Sequence, residues 1–512
     1  MRSSSPEPVF ASRARSRFAL LPKFIGHSAC VGALLSLLLA NPLAAQVQRR
    51  TDRLPSIVGL GVGGAEVGWM AESKVPWTYR YQYLSGGVGT GQGWANWNPN
   101  GTYVEGYVDQ SERVKAVTVF TYYQLLQSAP STGSDEPSRA LSNLNNPQTM
   151  SLYYADFALL MRRLANAKSS VVVHLEPDLN GYVQRKALDV GNRASAIPAA
   201  VSSSGFSGLE DLPNTYEGSV RGLFRLRDRY APNVMLAAHI STWSTGPDVG
   251  VNRDRRLDLG RVADTTLSFL RSLPEHDLLV LDPADRDAAY SEQVNKDGGS
   301  RWWDTTNATL PNFNQYESFI NELHQRSGLP ILLWQIPVGN TVMQSVNNSW
   351  NHYQDNRAQY WLGGDAARIR ALSNFGVVGL LFGRGADGNT SFDDRAKDGV
   401  TNPAQINGNT LEARVADDDG GYLRTIAGQY YRDPVARGGG VAVPATTRLS
   451  TVPPVAGSVS TTTSQAQLPA TPAVNSPLSP ADPRKPTTKQ RQTSKRKPTT
   501  TTKRRGTTTV RR

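Results

Sequence analysis

Eight short apolar runs, separated by segments of helical periodicity, constrain this chain more than any other feature. They are Ile57–Val62, Tyr79–Leu84, Ala116–Tyr123, Val171–Leu175, Val234–Ile240, Leu278–Leu281, Ile331–Ile336 and Val377–Phe382. Each has the length and the β-branched, aliphatic or aromatic content of a strand. Between several of them apolar residues recur at helical spacing, over Met150–Asn166, Asn214–Tyr230, Leu257–Leu273, Asn312–Arg326 and Asp365–Asn374. A last helix is expected over Tyr422–Tyr431, after an acidic start at Asp417-Asp-Asp419 that suits a helix N-terminus. Alternating strands and helices imply parallel βαβ units. Eight of them predict a (β/α)8 TIM barrel with long loops. A doubly wound open sheet has the same alternation and is the other architecture the pattern allows. Between the first three runs the sequence shows loops rich in Gly, Trp and Asn rather than clear helices.

The barrel is expected to occupy residues 46–436. Residues 1–45 read as a signal peptide. Arg13, Arg15, Arg17 and Lys23 supply the positive segment, Val31–Ala40 the apolar stretch, and Leu43-Ala-Ala45 a small-residue cleavage site. The apolar stretch is too short for a membrane-spanning helix, which needs about 20 residues. The only cysteine, Cys30, lies within this segment. The mature protein is therefore expected to have no disulfide, thiol nucleophile or thiolate metal site. Residues 437–512 read as a disordered tail rich in Thr, Pro, Lys and Arg, with too little apolar surface to fold. The whole net charge of +12 is carried by the twelve basic residues from Arg484 to Arg512. The body is formally neutral and lacks the basic excess of a nucleic-acid binder. The tail suits an anionic cell-surface polymer, or is a solvated extension. The expected location is outside the cytoplasm: secreted, periplasmic or on the cell surface.

In a (β/α)8 barrel the working site lies at the carboxyl ends of the strands. The run Val171–Leu175 carries His174 and stops on Glu176-Pro-Asp178; the fifth carries His239 and leads to Trp243. The sixth stops on Asp282-Pro-Ala-Asp285-Arg286-Asp287, the seventh contains Gln335 ahead of Asn340, and Arg384 follows the eighth. Strict alternation places His174 and Glu176 on one face. Tyr123 ends the third run, and Trp94, Trp97, Trp243 and Trp303 fall in loops. Carboxylates, amides, an arginine and aromatics on one rim suit carbohydrate, whose rings stack on aromatic faces and whose hydroxyls pair with planar polar groups. Glycoside hydrolysis needs two carboxyl groups flanking the bond. Glu176 is the expected proton donor, because burial at a strand end raises its pKa. Asp282 is the expected base or nucleophile, with Asp285 and Asp178 in reserve. His174, Asp178, His239, Gln335, Asn340 and Arg384 are expected to position the sugar, with Tyr123, Trp94, Trp97, Trp243 and Trp303 as stacking platforms. No cofactor is required.

Two other readings fit the same residues. One is a non-catalytic glycan-binding or cell-envelope barrel. The other is a metal-dependent hydrolase with His174, His239 and Asp282 as ligands. Gly59-Leu-Gly61-Val-Gly63-Gly64 superficially matches a dinucleotide loop but lacks its third glycine, and close strand packing explains it better. His352-Tyr-Gln-Asp355-Asn-Arg357 reads as a polar segment bracing the loop after the seventh run.

A glutamate ending the fourth strand resembles the large clan of retaining TIM-barrel glycoside hydrolases. Members of that clan carry Asn before this Glu and a second Glu ending strand seven; here Leu175 and Gln335 hold those places. Glu176-Pro-Asp178 and Asp282-Pro-Ala-Asp285-Arg286-Asp287 are also similar to the Glu-Pro-Asp and Asp-Arg-Asp segments of family 6 cellulases, where they occur in the opposite order. Each similarity spans fewer than ten residues. Together they imply a glycosidase-like barrel acting on a polysaccharide or oligosaccharide.

Overall fold

The computed structural model of the protein describes residues 50–383 and 388–438. The segment read as a signal peptide, the basic tail and Arg384 lie outside these residues. Within them, eight parallel strands close into a barrel in sequence order. They are β1 (Gly59–Gly63), β2 (Tyr79–Leu84), β3 (Val117–Tyr122), β4 (Val171–Leu175), β5 (Met235–Ile240), β6 (Leu278–Leu281), β7 (Ile331–Ile336) and β8 (Val377–Phe382). β8 pairs with β1, which closes the ring and removes both sheet edges. The open-sheet alternative is thereby set aside.

Strands β3 to β8 are buried along their whole length, because one face lines the barrel and the other packs under helices. The interior is filled by Tyr79, Tyr81, Val119, Val172, Met235, Val280, Leu332 and Trp334, among others. Leu54 enters this cluster. Nearby in sequence, Arg50 pairs with the buried carboxylate of Asp277.

The glycines of β1 answer to this packing. A Cβ on Gly61 would stand 2.5 Å from Cβ of Tyr79 and 2.7 Å from Cδ2 of Leu381. One on Gly63 would meet the ring of Tyr81 at 2.2 Å. The tyrosines of β2 occupy the volume that side chains on β1 would need. This agrees with close strand packing as the reason for the glycine run.

Helices between strands start where a side chain can satisfy the free backbone N–H groups. Asn146 accepts from Thr149 at the head of Pro147–Leu164, Thr215 from Gly218 before Tyr216–Tyr230, and Asp258 from Arg261 before Leu259–Leu270. Asn312 does the same for Phe313–Ser327, and Asp365 for Ala366–Asn374. Asp419 accepts from Gly421 and Leu423 ahead of the helix Tyr422–Tyr430, as its acidic start implied. Where loops alone were expected, the structure has helices at Val67–Glu72 and Tyr103–Arg113. The first is only six residues long. The second carries its buried face on Val104, Tyr107, Val108 and Ser111, a mixed set that muted the apolar period. No described helix is long and apolar enough to cross a membrane.

Candidate active site

The register of the strands builds the site as a staircase. Thr121 on β3 lies opposite His174 on β4. His174 lies opposite Ala237 on β5, so His239, two residues on, is the next inward side chain toward the mouth. His239 in turn lies opposite Val280 on β6, and Asp282 is one inward step above that. The contacts follow the steps. Thr121 Oγ1 is 3.4 Å from His174 Nδ1, His174 Nε2 is 3.1 Å from His239 Nδ1, and His239 Nε2 is 3.5 Å from Asp282 Oδ1. The edge of Trp334 rests against both imidazoles, at ring separations of 4.8 Å and 5.9 Å. Both rings are buried, and burial pulls their pKa values down, that of His239 to about 3. They are neutral in the physiological range.

Asp282 tops this staircase and is 26 % exposed. Burial pushes its pKa up to about 8, and the carboxyls of Asp178, Asp285 and Asp248 push the same way. Asp178 is also half-buried, and its pKa rises to about 7 through burial and the nearby acids Glu136 and Asp285. Asp178 and Asp282 both follow strand ends at the same rim, after β4 and β6, and Tyr83, near the carboxyl end of β2, feels the charge of each. Gln335 donates to the Tyr83 hydroxyl. Around Leu333–Ile336 the register of β7 against β8 shifts, two residues of β7 (Trp334 and Gln335) facing Leu381 alone, and Gln335 takes a φ of 54°. Such a bulge re-aims side chains at a barrel rim. Here both Trp334 and Gln335 meet Tyr83. Glu176 and Asp178 also have positive φ, 36° and 68°. Left-handed backbone at non-glycine residues clusters at functional sites.

Aromatic rings continue outward from the mouth. Tyr123 stands 6.2 Å from Tyr83 and shares electrostatic contact with Asp178 and Tyr182. Tyr182 packs at 5.3 Å against half-buried Trp243 and donates its hydroxyl to Glu136. Gly181 leaves room for this pair: a Cβ there would come within 2.8 Å of the Trp243 ring.

Several expected site residues lie elsewhere. Glu176 does not share the face of His174. Its positive φ breaks the alternation, and its carboxyl turns into the layer between barrel and helices, beside Leu125, Tyr153, Leu179 and Tyr216. It is 4 % exposed and accepts from the backbone N–H groups of Gln124 and Leu125 at 3.1 and 3.3 Å. Burial raises its pKa to about 8, so it sits there as a neutral acid that clasps the end of β3. Asp285 is half-exposed and paired with Arg286 at 2.8 Å. Asn340 is fully buried, donating to the Asp419 carbonyl and accepting from Val342 and Met343. It braces loops. Asp355 and Arg357 form a buried ion pair in the following segment, which fits bracing there too.

Trp94 is buried with its indole N–H on Asp156. Trp97 packs edge-on against Tyr103 at 5.0 Å. Trp303 is buried under Phe313, Tyr316 and Trp361. The indoles of Trp94 and Trp303 are buried and offer no free platform, whereas Trp97 is half-buried. His174 and His239 face each other instead of a shared point, and among the described residues no group of three or more His, Cys, Asp or Glu is placed to hold a metal ion.

Tyr83, Tyr182 and Thr121 were not among the residues expected at the site, and Trp334 was noted only as a strand end. The period-two series Tyr79, Tyr81, Tyr83 on β2 was the available signal for the first.

Fold and mouth together define a (β/α)8 barrel carrying a pair of proton-holding carboxyls beside aromatic rings. No protein-family pattern matches the chain, and no curated protein does. Among solved structures it is similar to glycoside hydrolases. A cellulase of glycoside hydrolase family 5 affiliated with Bacteroidetes shares 12 % identity, with 79 % of this chain and 95 % of that one covered and a TM-score of 0.40. The family 53 catalytic domain of Ignisphaera aggregans shares 11 %, covering 72 % and 97 %, with a TM-score of 0.37. An endoglucanase from Thermotoga maritima shares 9 %, covering 68 % and 96 %, with a TM-score of 0.39.

Proposed function

We propose that the protein is an exported glycoside hydrolase that cleaves a polysaccharide or oligosaccharide using Asp282 and Asp178. The observation that carries this reading is that these two half-buried carboxyls follow strand ends at one barrel mouth, with the charge of Asp178 felt at Asp282 and both pKa values raised. Two carboxyls in a poorly solvated site share a proton near neutrality, as acid/base hydrolysis of a glycosidic bond requires. His239 reaches Asp282 at 3.5 Å, whereas the side chain of Asp178 caps no backbone N–H of the helix it precedes. Burial and neighbouring acids give Asp282 the higher pKa in the free protein, but the N–H that His239 can turn toward it has no counterpart at Asp178, and on that contact we assign Asp282 as the base or nucleophile and Asp178 as the acid. In the reaction the anomeric C–O bond breaks and Asp178 gives its proton to the leaving oxygen. Asp282 either attacks the anomeric carbon or takes the proton of the incoming water. Tyr123, Tyr182 and Trp243 offer ring faces for sugars next to the cleaved bond, and Gln335 and Tyr83 offer hydroxyl partners at the floor.

Glu176 yields the role of acid to Asp178 in this proposal, because its carboxyl faces the helix layer. Export rests on the signal-like segment of residues 1–45, and the basic tail is proposed to engage an anionic surface polymer. The test is turnover by Asp282→Asn and Asp178→Asn on polysaccharides that the wild type degrades. Loss of about 10²-fold or more in kcat with retained binding supports the reading. Unchanged turnover in both variants defeats the assignment of these two carboxyls, and a wild type that binds polysaccharide without degrading any leaves a glycan-binding barrel.

A further inference from the structure

The contacts between Thr121, His174, His239 and Asp282 have a direction. Each neutral imidazole has one donor nitrogen and one acceptor nitrogen. Across the 3.1 Å contact between His174 Nε2 and His239 Nδ1 only one nitrogen can carry the hydrogen. The end of the chain decides which. An ionised carboxylate 3.5 Å away repels a lone pair and attracts an N–H, so His239 turns Nε2–H toward Asp282, which leaves His239 Nδ1 as a lone pair. His174 must then donate from Nε2, which leaves its own Nδ1 as a lone pair facing Thr121. The hydroxyl of Thr121 rotates freely enough to donate to it. The opposite polarity requires a protonated Asp282 Oδ1.

We propose that, once Asp282 is ionised, Thr121, His174 and His239 form a one-way hydrogen-bond chain, both rings neutral and protonated at Nε2, whose last N–H is turned toward Asp282 Oδ1 at 3.5 Å and orients that carboxylate electrostatically. His239, and His174 behind it, are then positioning residues for Asp282. The proposal rests on Asp282 belonging to the reacting pair, but the chain itself is a property of the resting protein.

The surroundings fit this polarity. The groups that face Asp282 are His239 from β5, Asp178 beyond β4, Asp248 from the β5–β6 loop, Asp285 beyond β6, Tyr83 from β2 and Tyr316 from the helix Phe313–Ser327. All but His239 are acids or phenols. Among these neighbours only His239 can turn an N–H toward the Asp282 carboxylate, beside the backbone N–H of Asp282 itself. A cationic imidazole in its place would need two acceptors, and the 3.1 Å contact with His174 supplies one only if His174 itself stays neutral. Burial of both rings opposes that charge. Trp334, edge-on to both rings, keeps them from rotating out of line.

Nitrogen NMR of the full-length protein labelled with 15N-histidine reads this directly. The resonances of His174 and His239 are assigned from His174→Gln and His239→Gln. Both rings are expected as Nε2–H tautomers from pH 9 down to the range where Asp282 gains its proton, with neither becoming imidazolium above pH ~5. An Nδ1–H tautomer in either ring at pH 9, or an imidazolium at pH ~6, overturns the proposal. The wild-type spectra decide this even where a variant fails to fold.

The positioning role is read from kinetics. His239→Leu is expected to raise the pKa of the acid limb of kcat by about one unit and to lower kcat by about tenfold or more, with KM within about threefold. His239→Gln, which keeps an N–H donor, is expected to restore most of both. Equal effects of Leu and Gln, or a change confined to KM, contradict positioning. If the tautomers are as expected while Asp282→Asn stays active, the chain stands and the assignment of Asp282 to the reacting pair falls. If the tautomers are otherwise while Asp282→Asn is inactive, the reverse holds.

Discussion

His239 Nε2 stands 3.5 Å from Asp282 Oδ1, and this contact links the buried interior of the barrel to its mouth. Below it are neutral, buried rings; above it are carboxyls that hold protons at unusually high pH. The proposed chemistry lies on the upper side. The first prediction follows from the two carboxyls there. Asp178, raised to about 7, and Asp282, raised to about 8, titrate as a coupled pair. Activity needs one protonated and one ionised member. It should fall below pH ~7 as the ionised member gains a proton, and above pH ~8 as the other loses it, giving a bell near neutrality. The pH profile of kcat checks this. A plateau extending down to pH ~5 contradicts it.

Glu176 should behave as a structural acid. Its pKa rises from 4.5 to about 8 on folding, chiefly through burial. Between those values the unfolded chain has released the proton and the native chain has kept it. Stability is therefore lost as pH rises through this window, by on the order of a few kcal/mol. Glu176→Gln keeps a carbonyl acceptor for Gln124 and Leu125 and removes the titration. Its melting temperature should gain on the wild type as pH rises from 5 to 8, and its turnover should stay within about fivefold. A collapse of kcat with an unchanged stability profile would return Glu176 to the catalytic pair.

The ring pair Tyr182–Trp243 should bind sugar. Stacking contacts of this kind contribute about 0.5–1.5 kcal/mol each. Trp243→Ala is expected to weaken oligosaccharide binding about tenfold in calorimetry, with kcat for a short chromogenic glycoside little changed. Trp94→Phe and Trp303→Phe should leave sugar affinity alone and lower thermal stability, since both indoles are buried with their N–H groups bonded to Asp156 and the Gly250 carbonyl.

The glycine face of β1 gives a test of the barrel itself. Gly61→Ala would drive a methyl into Tyr79 and Leu381. The expected cost is about 1–3 kcal/mol of unfolding free energy by denaturant titration. A smaller partner, Tyr79→Phe, should not relieve it, because the contact is with Cβ of Tyr79 and not with its hydroxyl.

Much of this architecture was legible in the chain because barrel strands are buried on both faces and so write continuous apolar runs. All eight runs became strands, from β1 at Gly59–Gly63 to β8 at Val377–Phe382. The helix Tyr103–Arg113 was obscured because its inner face mixes Ser111 with Tyr107 and two valines. At the site, the strand ends drew attention to His174, His239 and Asp282, but alternation, which put His174 and Glu176 on one face, failed at Glu176, where a positive φ breaks the period. Such local turns are set by packing at the rim and leave no periodic trace. The indoles of Trp94 and Trp303 misled for a related reason. A loop in sequence is not a loop in solvent when long connections fold back over the helices.

The most direct measurement of the central claim is release of reducing ends from a panel of polysaccharides by the wild type, Asp282→Asn and Asp178→Asn, all confirmed folded. The account predicts a substrate that the wild type cleaves and that each variant cleaves at least about 10²-fold more slowly while still binding it. Cleavage by both variants at the wild-type rate would contradict it.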